Sequence, residues 1–220
     1  LGGGVGYLVR KHGLTIDSLL AAELVTADGR LLHVDAERHP DLFWAIRGGG
    51  GNFGVVTRLE FRLNAMKQFT GGMLFLPATA ETIAGFAAAS MSAPEELSTI
   101  GNIMPAPPMP FIPKEAHGRL VIMAFIAYAG DDALAQRAIA PFRSLATPIA
   151  DMVKAQPYVA MYPPEDPNYR PTAVSRTMFV DSIDLARAEL IVDYLSKSDA
   201  PMRVAQLRAL GGAASRVPAD

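Results

Sequence analysis

The sequence predicts an α+β protein in which a glycine-rich first part is followed by a mainly antiparallel sheet covered by helices, with the elements in βαββαβ order. Three observations carry that expectation. Nine of the nineteen glycines fall within residues 2–6 and 48–54, so the first part must turn tightly. From Gly72 onward, runs of strand-forming residues alternate with segments of helical period. Between Asn64 and Thr70 the composition shifts from the first pattern to the second, which places a boundary there and divides the chain into residues 1–66 and 67–220.

In the first part, Ala22–Ala27 and Arg30–Val34 flank Asp28-Gly29, a pair suited to the positive φ angles of a type I′ turn, and a β-hairpin is expected. Pro40 and Asp41 then open a short helix, since proline fits a first turn and an acidic residue favours the N-terminal dipole. Phe43 and Trp44 on that helix could stack on a flat ligand but are expected to fill the core. After the second glycine cluster, Val55, Thr57, Leu59, Phe61 and Leu63 alternate with Arg58, Glu60 and Arg62, the pattern of a half-buried strand.

The second part is expected to run strand 72–76, helix 79–91, strand 97–104, strand 119–128, helix 131–145 and strand 149–155. Thr79 can cap the first helix, whose inner face is Ile83, Phe86, Ala87 and Ser90. Leu134, Ala138, Phe142 and Leu145 form the expected inner face of the second, which Pro141 should kink or end. A split βαβ sheet with its helices on one face follows from this order. A further strand (177–183) and helix (184–197, inner face Leu185, Ala188, Val192 and Leu195) should extend it. The proline-rich stretches 105–113 and 157–171 are expected to be long loops, the kind that often borders a binding cleft.

Composition excludes several classes of function. With a formal net charge of −2 and scattered Lys and Arg, there is no basic field for a nucleic acid. With no cysteine, disulfides and thiolate chemistry are absent. His12, His33, His39 and His117 lack the close pairings of metal ligands, so no metal site is expected and each histidine is expected to be a surface or packing residue. The longest apolar run, residues 120–129, is too short to span a bilayer. A cytoplasmic location is the default expectation.

The glycine clusters need a reason, because glycine costs backbone entropy on folding and returns close approach or positive φ. One reading is tight turns and helix caps. The other is a cradle of main-chain amides for something flat or anionic. Gly49, Gly51 and Gly54 match the spacing of the dinucleotide-binding fingerprint, but here a helix leads in and a strand leads out. That order is the reverse of the one the fingerprint requires, and the Rossmann reading is excluded.

Residues 1–17 (LGGGVGYLVRKHGLTID), 25–29 (VTADG) and 40–57 (PDLFWAIRGGGGNFGVVT) closely resemble the berberine-bridge-enzyme-like FAD-linked oxidases of the vanillyl-alcohol oxidase and p-cresol methylhydroxylase (PCMH) superfamily. The resemblance is specific over residues 1 to about 64 and looser beyond. It implies that residues 1–66 are the C-terminal part of a PCMH-type FAD-binding domain and that residues 67–220 belong to a substrate-binding domain. It further implies a parent chain that continues at both ends, because the family's tethering Arg-x-Gly-Gly-His segment and its C-terminal catalytic groups are not found here.

By the same resemblance, FAD is gripped by backbone groups. Gly2, Gly3, Gly4 and Gly6 would pass close to the flavin, Gly13, Leu14 and Asp17 would close over the cofactor, and Asn52, Gly54 and Val56 would meet its nucleotide part. Arg10, Lys11 and Arg47 could reach phosphate but are expected at the solvated surface. No catalytic residue is identified. The implied activity is oxidation of an alcohol or amine carbon of a small-molecule substrate, with dioxygen as the final acceptor, and these residues alone should be inactive. The alternative is a non-catalytic binding or assembly module that pairs with a second copy through exposed edges of a ferredoxin-like sheet.

Overall fold

The computed structural model describes residues 3–162, 168, 170 and 172–217. Gly2 and most of the expected loop 157–171 lie outside the described residues. The chain forms two units, Leu1–Met66 with Leu210–Asp220, and Lys67–Ala209. The break near residue 66 coincides with the shift in composition. The expected second domain, however, ran to residue 220, whereas from Leu210 the chain packs with the first unit. There Arg10 Nη1 donates to the Leu210 carbonyl oxygen at 2.9 Å, a contact between residues so distant in sequence that no local pattern announces it.

In the first unit a short helix α1 (Val9–His12) ends at Gly13, whose φ of 79° no side-chain-bearing residue adopts readily. A 3-10 turn (Thr15–Ser18) then leads into a three-stranded antiparallel sheet of β1 (Leu19–Val25), β2 (Leu31–Asp35) and β3 (Val55–Phe61), ordered β2-β1-β3. Helix α2 (Pro40–Ile46) covers it through Phe43, which is buried with Leu19, Ala22, Leu24 and Val34. The β1–β2 hairpin is closed differently from the sequence expectation. Only Gly29 has positive φ, 81°, and Gly29 N–H donates to the Thr26 carbonyl while Thr26 N–H donates to that of Arg30. This is a type I turn followed by a glycine bulge, because a type I′ turn would also need Asp28 at positive φ.

The half-burial expected of β3 is not found. Val55 is 70% exposed, and among the strand's residues only Phe61 is sheltered. β3 is the edge of its sheet, and the residues packed around α2 come chiefly from β1 and β2.

The second unit carries an antiparallel sheet ordered β7-β4-β6-β5-β9, built from β4 (Thr70–Pro77), β5 (Leu97–Pro105), β6 (Leu120–Tyr128), β7 (Ala150–Asp151) and β9 (Ala205–Arg208), with β8 (Lys154–Ala155) also paired to β4. Helices α3 (Ala80–Ser92), α4 (Asp132–Arg143) and α5 (Leu185–Lys197) supply Ile83, Phe86, Ile139, Phe142 and Ala188 to a core shared with Leu74, Leu97, Ile122 and Ile126. Thr79, Asp131 and Asp184 cap their helices by accepting main-chain N–H groups. The order β4-α3-β5-β6-α4-β7 is the expected βαββαβ.

Five elements depart from expectation, one of them α5, whose expected inner-face residue Leu185 is exposed. The strand expected at 149–155 is split into β7 and β8, because the main chain at Gly72 presses against the Met152 carbonyl and no side chain fits between them. The residues expected as a strand at 177–183 form no strand, and all but Ile183 are exposed. The sheet is extended instead by β9, whose four residues give too short a pattern to read. Finally, α4 buries Ala135, Ile139 and Phe142, keeps Ala138 and Leu145 of the expected face packed against the same core, and leaves only Leu134 of that face exposed. Pro141 lies in the last turn, where few hydrogen bonds remain to be lost. The loop after Pro105 packs Ala106, Ile112 and Ala116 against Phe75 and Val121 on the sheet's other face. Among the described residues no helix is long and apolar enough to cross a membrane.

Candidate functional site

Two neighbouring cavities lie in the first unit. One, of about 330 Å³, is bordered by Ile16, Leu24, Gly48, Gly51, Gly54 and Val56 among others. The second, of about 560 Å³, is bordered by Ile16, Asp17, Trp44, Arg47, Gly48, Gly49, Phe53 and Val217. Ile16, Gly48 and Phe53 are common to both, so a single glycine-rich turn separates them. Their volumes fall within the range of small-molecule sites.

The turn is made by the sequence around it. Helix α2 ends with Gly49 N–H donating to the Ala45 carbonyl at 2.9 Å. Asn52 Nδ2 donates to the Gly49 carbonyl at 3.1 Å and holds the loop's shape. At Gly54, φ is 147° and a Cβ would collide with the Val25 carbonyl oxygen, so this glycine lets β3 start hard against β1. Asp17 acts locally. Its Oδ2 accepts Leu14 N–H at 2.8 Å, and a Cβ on Gly13 would meet the same oxygen. The carboxylate thus ties the turn that presents Ile16 and Asp17 to the second cavity.

Of the residues singled out in the sequence, Asp17, Gly54 and Val56 border a cavity directly, while Asn52 shapes the loop between them. Gly3, Gly4 and Gly6 border neither cavity. They connect to the site through Thr15, which donates its N–H and its hydroxyl to the Gly4 carbonyl, each at 3.1 Å. Gly2 is outside the described residues. The glycines differ in why they are glycine. Gly4, Gly13, Gly49 and Gly54 are dictated by close neighbours. At Gly3, Gly6 and Gly51 a Cβ would meet nothing within 4 Å, and none of the three has a positive φ.

Three expectations about side chains are corrected. Trp44 is 60% exposed and borders the larger cavity, whereas Phe43 alone fills the core; adjacent helical residues point about 100° apart, so both could not face inward. Arg10 is 6% exposed rather than at the solvated surface, held by its bond to Leu210. Arg47 lies over the Phe43 ring, 4.9 Å from its centre, and its buried Nε has no hydrogen-bond partner among the described residues. Phe53 and Val217 were not identified as site residues from sequence, while Arg47 and Trp44 were weighed as ligand contacts but expected at the surface and in the core. The position of Arg47 between a core aromatic and the glycines was the available signal; Val217 gave none.

Among the described residues no three His, Cys, Asp or Glu side chains gather so as to hold a metal ion. His33 sits between Glu23 and Asp35 at 3.7 and 3.6 Å on the first sheet. Burial and the neighbouring Lys11 push the His12 pKa below its ordinary value. Asp35 is held down at about 2, chiefly by its side-chain hydrogen bonds from Arg38.

No protein-family model matches the chain. Among curated proteins it is 33% identical over 160 residues to (R)-6-hydroxynicotine oxidase of Paenarthrobacter nicotinovorans, covering 72% of this chain and 34% of that protein. It is 51% identical over 61 residues to glucooligosaccharide oxidase of Sarocladium strictum, covering 28% of this chain and 12% of the relative. Among solved structures, chitooligosaccharide oxidase superposes on 99% of this chain and 48% of its own with a TM-score of 0.72 at 25% identity. The chain spans about a third of the length of the first of these relatives. By sequence the chain belongs with the FAD-linked oxidoreductases, and its fold is also that of a berberine-bridge-enzyme-like protein of Physcomitrella patens, with a TM-score of 0.60 at 24% identity over 73% of this chain and 33% of that one.

Proposed function

We propose that the chain forms part of an FAD-dependent oxidase, its first unit contributing to the cofactor cradle and its second unit belonging to the substrate domain. One observation carries this reading. Gly51, which borders the smaller cavity, is a glycine although neither a backbone angle nor a neighbouring atom requires it. Open space at the missing Cβ is what a flat ligand lying against the main chain would need.

The residues present fit that cofactor. The glycine turn at 48–51 and the main chain at Ile16–Asp17 border the two cavities, as a dinucleotide gripped by backbone groups requires. Arg47 borders the larger cavity and offers a guanidinium suited to a phosphate or a carbonyl oxygen. Trp44 presents an exposed ring to the larger cavity for stacking. Gly4, Gly13 and Leu14 shape the turns around this site, and Asn52, Gly54 and Val56 fix the loop and the start of β3.

When bound, FAD supplies the hydride acceptor for an alcohol or amine carbon, and dioxygen restores it. The names of the relatives, a hydroxynicotine oxidase and two oligosaccharide oxidases, support that pair of substrate types. What the chain's own residues do is bind, orient and shield.

Trp44 is the only tryptophan of the chain, so its emission reports on the larger cavity alone. Titration with FAD is expected to quench it saturably, while NAD leaves it unchanged. A folded chain whose Trp44 emission ignores FAD would overturn the reading.

A further inference from the structure

The segment after Leu210 has no role in anything described so far except that Val217 borders the larger cavity. It is tied down with some precision. Arg10, almost fully buried in α1, donates through Nη1 to the Leu210 carbonyl oxygen at 2.9 Å. Gly211 and Gly212 have φ of 100° and 58°. A Cβ on Gly212 would strike the Arg10 carbonyl oxygen, so the main chain of this segment runs in direct contact with the main chain of α1. A 3-10 turn over Gly212–Arg216 follows, closed by the Ser215 hydroxyl donating to the Gly212 carbonyl at 2.8 Å, and it delivers Val217 to the cavity that Gly48 and Gly49 of the glycine turn also border.

We propose that residues 210–217 form a strap that walls the larger cavity, and that Arg10 is the positioning residue that latches it. The proposal rests on the flavin reading of that cavity. Arg10 is not among the residues bordering the cavity and acts through the strap: its charge-assisted hydrogen bond sets where Leu210 lies, the two glycines let the chain turn against α1, and the turn fixes Val217. Loss of the latch releases the wall, so the ligand should dissociate faster without any change in the groups that bind it.

The test uses Arg10→Ala, Arg10→Lys and Val217→Phe in the complete chain, with two readouts. Amide hydrogen exchange over residues 210–217, without ligand, reports on the latch; Trp44 quenching by FAD reports on the wall. Arg10→Ala should speed exchange in the strap while the sheet of the second unit keeps its protection, and should weaken FAD binding about tenfold, the worth of one charge-assisted hydrogen bond. Arg10→Lys should recover part of both. Val217→Phe should weaken FAD binding by filling space, with strap exchange unchanged. Unchanged exchange in Arg10→Ala overturns the latch. FAD binding equal to that of the parent in both Arg10→Ala and Val217→Phe overturns the wall. A parent chain that gives no FAD response overturns the flavin reading beneath the proposal, and the exchange result then separates that failure from a failure of the latch.

Discussion

The guanidinium of Arg47 lies 4.9 Å from the centre of the Phe43 ring. The ring is in the core of the first unit while the arginine borders the larger cavity, so one turn of α2 serves packing and binding together. Arg47→Ala should therefore separate the two roles. Loss of the cation–π contact should lower stability by about 0.5–1 kcal/mol in urea unfolding, whereas FAD affinity should fall about tenfold if the guanidinium meets the cofactor. Equal FAD affinity in the variant would remove Arg47 from the site.

Gly54→Ala should destabilise the first unit. Its φ of 147° and the adjoining Val25 carbonyl leave no room for a Cβ, and strain of this kind costs about 1–3 kcal/mol. A urea midpoint equal to that of the parent would mean that β3 can start elsewhere.

Phe86 is buried at the centre of the second unit, edge-on to Phe142 with ring centres 5.4 Å apart. Phe86→Ala should cost about 3–5 kcal/mol. The loss should appear in the unfolding of the second unit and leave the Trp44 signal, which belongs to the first, at its parental midpoint if the two units melt separately.

The Asp35 pKa in the folded chain is about 2, against an ordinary 3.8, chiefly because Arg38 hydrogen-bonds its carboxylate. A depressed carboxylate pKa stabilises the fold above the unfolded value and loses that contribution as pH falls through the folded one. Asp35→Asn should accordingly flatten the decline in melting temperature between about pH 4 and pH 2. Identical declines in the two proteins would assign the acid sensitivity to other carboxylates.

Much of the second unit was legible because its strands and helices are long enough for periodicity to show, and because Thr79, Asp131 and Asp184 announce their helices. β9 escaped because four residues carry no period. The apolar residues at 177–183 suggested a strand, yet composition cannot say whether a partner edge exists. In the first unit the second glycine cluster, with Asp17, Gly54 and Val56, borders the two cavities. The separation of Gly3–Gly6 from those cavities was not legible, since it depends on Thr15 holding Gly4 to one side. Val217 and the Arg10 latch were also hidden, because their contacts join residues two hundred positions apart, and the hidden burial of Arg10 reversed the usual expectation for arginine.

The proposed cradle needs the main chain at Gly51 to be free for a flat cofactor, and Gly51→Val tests this most directly. The added side chain meets no protein atom at its Cβ, so the stability change should stay within about 0.5 kcal/mol. FAD titration followed through Trp44 should show saturable quenching in the parent and at least a tenfold weaker response in Gly51→Val, the equivalent of about 1.4 kcal/mol. Undiminished quenching in a stably folded Gly51→Val chain would contradict the flavin cradle.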